Sequence, residues 1–126
     1  MNALIVDDSR AMRRILRGIV TQLGFDVIEA SNGAEGYDKL VANEDIELVL
    51  VDWNMPVMNG IELVKKVRSE PRYETLKMVM VTTETEPQQM ARAIMAGVDE
   101  FVMKPFTSDI LIDKFKLIGV RMPQSS

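Results

Sequence analysis

Polar side chains follow directly on apolar runs at four places in this chain. Asp7 and Asp8 follow Leu4, Ile5 and Val6; Asp52 follows Leu48, Val49, Leu50 and Val51; Thr82 follows Val81; Lys104 follows Val102 and Met103 and precedes Pro105. If each run is a strand of an open parallel sheet, its carboxyl end opens onto the binding crevice. Three carboxylates, a hydroxyl and an amine would then share one edge. The carboxylates could bind a cation, act as acids or bases, or attack an electrophile; the amine could bind an anion.

The elements needed to place these groups are readable. Apolar runs at residues 3–6, 25–30, 47–51, 78–82 and 100–103 are short and rich in Val, Ile and Leu, as buried parallel strands are. Amphipathic stretches separate them. Met12, Ile15, Leu16, Ile19, Val20 and Leu23 recur at helical spacing, with Ser9 as a cap and Gly24 as a left-handed stop. Tyr37, Leu40 and Val41 mark a second helix. Ile61, Leu63, Val64 and Val67 mark a third behind Asn59, with Pro71 beyond it. Pro87 opens a fourth helix, which carries Met90, Ala91, Ile94 and Met95 and stops at Gly97. Thr107 caps a fifth, with Leu111, Phe115 and Ile118 inward. The alternation predicts a three-layer α/β fold, a doubly wound parallel sheet with right-handed crossovers and five flanking helices. Residues 1–121 are expected to form one domain and 122–126 a short tail, with no output domain.

Composition narrows the chemistry. The chain has 126 residues, 47% hydrophobic and 27% charged, within the range of an ordinary globular domain. Its formal net charge of −4 argues against a nucleic-acid surface. It contains no cysteine and no histidine, which excludes thiolate or imidazole metal sites, imidazole base catalysis and a phosphohistidine on this chain. No run approaches the roughly 20 apolar residues of a membrane span, and no secretory signal is seen, so a cytoplasmic protein is expected.

Asp7 and Asp8, the run Asp52, Trp53, Asn54, Met55, Pro56, then Met58, Asn59 and Gly60, Thr82, and Lys104, Pro105 and Phe106 together resemble the receiver domain of two-component response regulators. The likeness runs in order over roughly residues 2–118 and is closest to the stand-alone chemotaxis type, the CheY-like proteins. It implies the strand order 2-1-3-4-5. It also implies that Asp52 is the phosphoacceptor, that Mg²⁺ (or Mn²⁺ in its place) is held by Asp8 and Asp52 directly, Asp7 through water and the Asn54 backbone carbonyl, and that the Lys104–Pro105 bond is cis. Lys104 and Thr82 would contact the transferred phosphoryl group. Asn54 and Glu84 would tune hydrolysis. Phe101 would act as the switch aromatic, standing where motor-binding members commonly carry tyrosine. Phosphorylation would switch a surface at residues 86–118, formed by the fourth helix, fifth strand and fifth helix.

The chemistry suits these roles. Crowded carboxylates repel one another, and a hard divalent cation relieves that repulsion. Phosphoryl transfer needs mainly positioning and positive charge around the phosphoryl oxygens. The implied partners are a histidine kinase or histidine phosphotransfer protein upstream and a target protein downstream, possible flagellar motor switch included, with no nucleic acid or membrane partner; a monomer is expected. A phosphorelay intermediate and a phosphate sink are alternatives within the family. A phosphatase of the haloacid dehalogenase class would want a second Asp at position 54 as general acid. A flavodoxin-like carrier would want a hydroxyl-rich phosphate loop where Asp7 and Asp8 stand. Thr83 adds bulk beside Thr82. Trp53 reads as a partly exposed aromatic beside the site, and Arg10, Arg14 and Arg17 as one basic face of the first helix.

Overall fold

The structure, a computed structural model, describes residues 1–83 and 86–123. Five strands alternate with five helices: β1 (Asn2–Val6), α1 (Arg10–Gln22), β2 (Asp26–Ala30), α2 (Gly33–Ala42), β3 (Ile46–Val51), α3 (Gly60–Arg68), β4 (Lys77–Thr82), α4 (Pro87–Ala96), β5 (Glu100–Met103) and α5 (Ser108–Leu117). A short 3₁₀ turn at Pro71–Tyr73, absent from the sequence reading, follows α3. All strand pairs are parallel, in the order β2-β1-β3-β4-β5. This is the doubly wound arrangement the resemblance implied.

Side-chain alternation divides the core between the two faces of the sheet. Leu4, Val6, Val49, Val51, Met78 and Met80 join Leu63, Val64 and Ala93 on the side of α2, α3 and α4. Ala3, Ile5, Leu48, Leu50, Val79 and Val81 join Leu16, Val20, Leu111 and Phe115 on the side of α1 and α5. Burying each large aliphatic or aromatic side chain contributes about 1.5–3 kcal/mol. The central strands are therefore the rigid base on which their carboxyl ends are mounted.

Caps set where the helices begin. The Ser9, Asn59 and Thr107 side chains accept from the Met12, Glu62 and Ile110 N–H groups, and Asn59 with Glu62 completes a reciprocal capping box. The α4 stripe departs from expectation. Ile94 and Met95 face outward, at 50% and 86% exposure, Ala91 is exposed, and the fully buried residue is Ala93. Ala93 is the residue of α4 turned into the core, so the larger apolar side chains that follow it are left on the outer face. Ile15 of α1 is likewise turned to solvent.

Candidate functional site

Backbone bonds carry the sheet ladder past the strand ends and fix the residues beyond them. The Asp7 N–H donates to the Ala30 carbonyl at 3.1 Å, the Asp52 N–H to Val6 at 2.9 Å, and the Lys104 N–H to Thr82 at 2.9 Å. Val6 is level with Val51 in the β1–β3 register, so Asp7 and Asp52 emerge side by side. Asp7, Asp8 and Asp52 each bring one carboxylate oxygen within 4.8 Å of the others. Asp7 and Asp52 are buried and Asp8 is exposed, so the cluster opens to solvent on one side.

Lys104 reaches into this cluster from the loop after β5. Its Nζ lies 3.0 Å from Asp7 Oδ2 and 3.6 Å from Asp52 Oδ2. The Lys104–Pro105 peptide bond is cis. Each buried carboxylate has a backbone donor as well: Ser9 N–H to Asp7 Oδ1 at 2.9 Å, and Trp53 N–H to Asp52 Oδ1 at 2.8 Å. Burial pushes the Asp52 carboxyl above its ordinary pKa, and the neighbouring Asp7 pushes the same way; Lys104 and the Trp53 N–H oppose them without prevailing. A carboxylate that holds its proton more tightly also has greater affinity for other electrophilic partners.

The loop after Asp52 is tightly constrained. A Cβ on Gly60 would lie 2.1 Å from the Asp52 carbonyl oxygen, and the Gly60 N–H donates to the Trp53 carbonyl at 2.9 Å. Within the loop the Met58 N–H returns to the Pro56 carbonyl at 2.7 Å, and Val57, 83% exposed, has φ +67°. That combination is a γ-turn centred on a β-branched residue in a left-handed conformation.

The remaining residues singled out from the sequence are distributed as follows. Thr82 is fully buried at the end of β4, beside the main chain of Lys104. Asn54 lies exposed in the loop after Asp52, and Thr83 is exposed next to Thr82. Phe101 is buried, with its ring in the core on the α3–α4 side. Trp53 is also buried in that core, at 9% exposure, which corrects the expectation of a partly exposed aromatic. Glu84 lies outside the described residues. The sequence reading passed over Arg13, whose guanidinium reaches the Asp7 main chain. Its signal was weak, one arginine among four on α1.

The cluster suits a hard cation. Its donors are all oxygen, with no imidazole or thiolate, and they lie within 4.8 Å of one another, near enough to converge on one ion. A doubly wound sheet bearing an acidic oxygen cage and an ammonium at its carboxyl edge defines an α/β domain with a ligand crevice suited to a cation.

The family follows from comparison. The family model described as "Response regulator receiver domain" matches residues 3–116. The chain is 49% identical over 117 residues to a chemotaxis protein CheY homolog of Campylobacter jejuni, covering 92% of this chain and 90% of that one. It is 44% identical over 119 residues to chemotaxis protein CheY1 of Helicobacter pylori, covering 94% and 96%. Among solved structures, CheY4 of Vibrio cholerae superimposes with a TM-score of 0.86 at 31% identity, covering 93% and 97%. The CheX–CheY–BeF3–Mg complex of Borrelia burgdorferi gives 0.88 at 26% identity, covering 96% and 90%. The chain belongs to the response regulator receiver domain family, and its relatives are CheY proteins. Such proteins are signalling switches, which sets aside the dehalogenase-type phosphatase and the flavin carrier.

Proposed function

We propose that this chain is a chemotaxis response regulator that accepts a phosphoryl group on Asp52 from a histidine kinase or histidine phosphotransfer protein. The observation that carries this reading is the convergence of Asp7, Asp8 and Asp52 with the Lys104 ammonium on one sheet edge. Asp7, Asp8, Asp52 and the Asn54 carbonyl hold Mg²⁺ in this proposal, with Mn²⁺ able to replace it. When bound, the cation supplies positive charge against the phosphoryl oxygens.

An Asp52 carboxylate oxygen attacks phosphorus. The phosphorus–nitrogen bond to the donor imidazole breaks, and an acyl phosphate forms on Asp52. Lys104 offers its ammonium to one phosphoryl oxygen and Thr82 its hydroxyl to another. Water later attacks the acyl phosphate, and Asn54 and Glu84 set that rate. The phosphorylated chain binds its target through the outer face of α4, β5 and α5, where Ile94, Met103 and Ile110 are exposed; Phe101 beneath links this face to the site. In this proposal the protein works as a cytoplasmic monomer, and a flagellar motor component is its target. Among the described residues no helix is long and apolar enough to cross a membrane.

Labelling with acetyl phosphate and Mg²⁺ tests this reading. Wild type should gain one acid-stable, hydroxylamine-labile phosphoryl group, and Asp52→Asn should gain none. Lys104→Ala should still bind Mg²⁺ yet lose phosphorylation-dependent target binding. Undiminished labelling of Asp52→Asn would overturn the phosphoacceptor assignment.

A further inference from the structure

The geometry points to Arg13 as a positioning residue of the acidic site, holding the Asp7 main chain so that the Asp7 and Asp8 carboxylates face one cation. The inference rests on the proposed Mg²⁺-dependent function and deepens it. Helical side chains lean toward the helix N-terminus, so Arg13, in the first turns of α1, reaches back over the β1–α1 junction. Its Nη1 donates to the Asp7 carbonyl at 2.6 Å, and its Nε donates to Glu29 Oε1 at 3.0 Å. The side chain is only 15% exposed.

Asp7 is thereby held at three points: its carbonyl by Arg13, Oδ1 by the Ser9 N–H, and Oδ2 by Lys104. The bond to Arg13 falls on the main chain and takes no lone pair from the carboxylate, and it can persist if Lys104 turns to a phosphoryl group. Glu29 orients the guanidinium. It stands on β2 opposite Ile5 of β1, and it also accepts from Arg17 Nε at 2.7 Å. Burial pushes the Glu29 pKa up, but the bonds from Arg17 and Arg13 outweigh it and hold the group below its ordinary value. An ionised Glu29 thus fixes a planar, forked donor of the kind that positions an acceptor by direction as well as charge.

Arg17 supplies the control. It shares Glu29 with Arg13 but donates nothing to Asp7. Trp53 adjoins Asp52, so its fluorescence should report Mg²⁺ binding. The Mg²⁺ concentration for half-response would be measured in wild type, Arg13→Ala, Arg13→Lys, Glu29→Gln and Arg17→Ala, with thermal midpoints for each. Arg13→Ala should need about tenfold more Mg²⁺, the scale on which groups behind metal ligands act. Arg13→Lys and Glu29→Gln should fall between, and Arg17→Ala should stay within about twofold of wild type. If Arg13→Ala does not fold, Arg13→Lys against Arg17→Ala decides the question. Equal shifts in those two, or tighter Mg²⁺ binding without the guanidinium, would overturn the positioning role. A wild-type protein with no Mg²⁺ response would sink the proposed function itself; a normal wild-type response shared by the Arg13 variants would sink only this inference.

Discussion

Neutralising Asp52, the proposed phosphoacceptor, should make the metal-free protein more stable. Asp52 sits with one oxygen within 4.8 Å of oxygens of Asp7 and Asp8, and 3.6 Å from the Lys104 ammonium. At an effective dielectric of about 20, Asp7 repels it by about 3.5 kcal/mol and Lys104 attracts it by about 4.6 kcal/mol. Asp8 is exposed, and solvent reduces its repulsion to about half that of Asp7. The charges then nearly cancel, leaving the cost of desolvating Asp52, which the Trp53 N–H offsets only in part. Asp52→Asn keeps an acceptor for that N–H and leaves Lys104 paired with Asp7. The variant should therefore gain about 1–2 kcal/mol at neutral pH, or about 3–8 °C in thermal midpoint.

The pH dependence has a definite sign. The folded-state pKa of Asp52 lies above its unfolded value, so folding favours the protonated form. That contribution is complete below the ordinary carboxylate range and is lost as pH rises through the folded pKa. The gap between variant and wild type should thus open as pH rises through that value and close in acid. Added Mg²⁺ should narrow it at neutral pH, since tenfold excess over a dissociation constant contributes about 1.4 kcal/mol to the form that binds. Thermal melts in EDTA and in Mg²⁺, at several pH values, give both readings. A metal-free Asp52→Asn protein less stable than wild type at neutral pH would refute the electrostatic account of the pocket.

Three further substitutions probe the frame. Val57→Gly should raise stability by about 1 kcal/mol in urea denaturation, because relief of a left-handed β-branched residue exceeds the added entropy of glycine. Arg68→Ala should lower it by about 2–4 kcal/mol, since that guanidinium bonds the Gly97 carbonyl, the Tyr73 carbonyl and Asp99 at 2.7–2.9 Å and ties α3 to the far end of α4. Gly60→Ala should abolish the Trp53 response to Mg²⁺, because its methyl would meet the Asp52 carbonyl oxygen and force the loop to move.

Where local chemistry decides, the sequence was legible. A continuous Val, Ile and Leu run can be buried on both faces only in the middle of a sheet, and the polar residue ending it must lie at an edge. That rule alone places Asp7, Asp52 and Lys104. Ser9, Asn59 and Thr107 mark helix starts because a short polar side chain there satisfies a backbone N–H that nothing else can reach. What stayed hidden depends on distance between elements. Ala93 carries too little apolar surface to stand out in a helical pattern, whereas Ile94 and Met95 read as core positions and lie on the outer face. Trp53 looked like an open neighbour of Asp52 because sequence does not say that the chain turns its ring under the sheet. Arg13 was one basic residue among several on α1 until β2 brought Glu29 beneath it and the helix start brought Asp7 within reach.

The proposed switch follows from how few bonds separate the pocket from the exposed apolar face. Lys104 is the first residue beyond β5, and its N–H is bonded to the Thr82 carbonyl at the end of β4. The two groups proposed for the phosphoryl oxygens therefore stand at the ends of adjacent strands, and a backbone bond joins their residues. Those strands run under Ala93 of α4 and Phe115 of α5, and their outer neighbours include Ile94, Met103 and Ile110. In the unphosphorylated pocket Lys104 is committed to Asp7 and Asp52. Phosphorylation would replace the single carboxylate charge of Asp52 with a group carrying about 1.5–2 negative charges, able to compete for that ammonium. Any displacement of Lys104 or Thr82 would then act on the β4–β5 edge itself, because both residues stand at the ends of those strands. The acidic edge could bind a cation on any rigid sheet. Having the amine and hydroxyl proposed to respond at the ends of the two strands that carry the apolar face is what suits this arrangement to signalling.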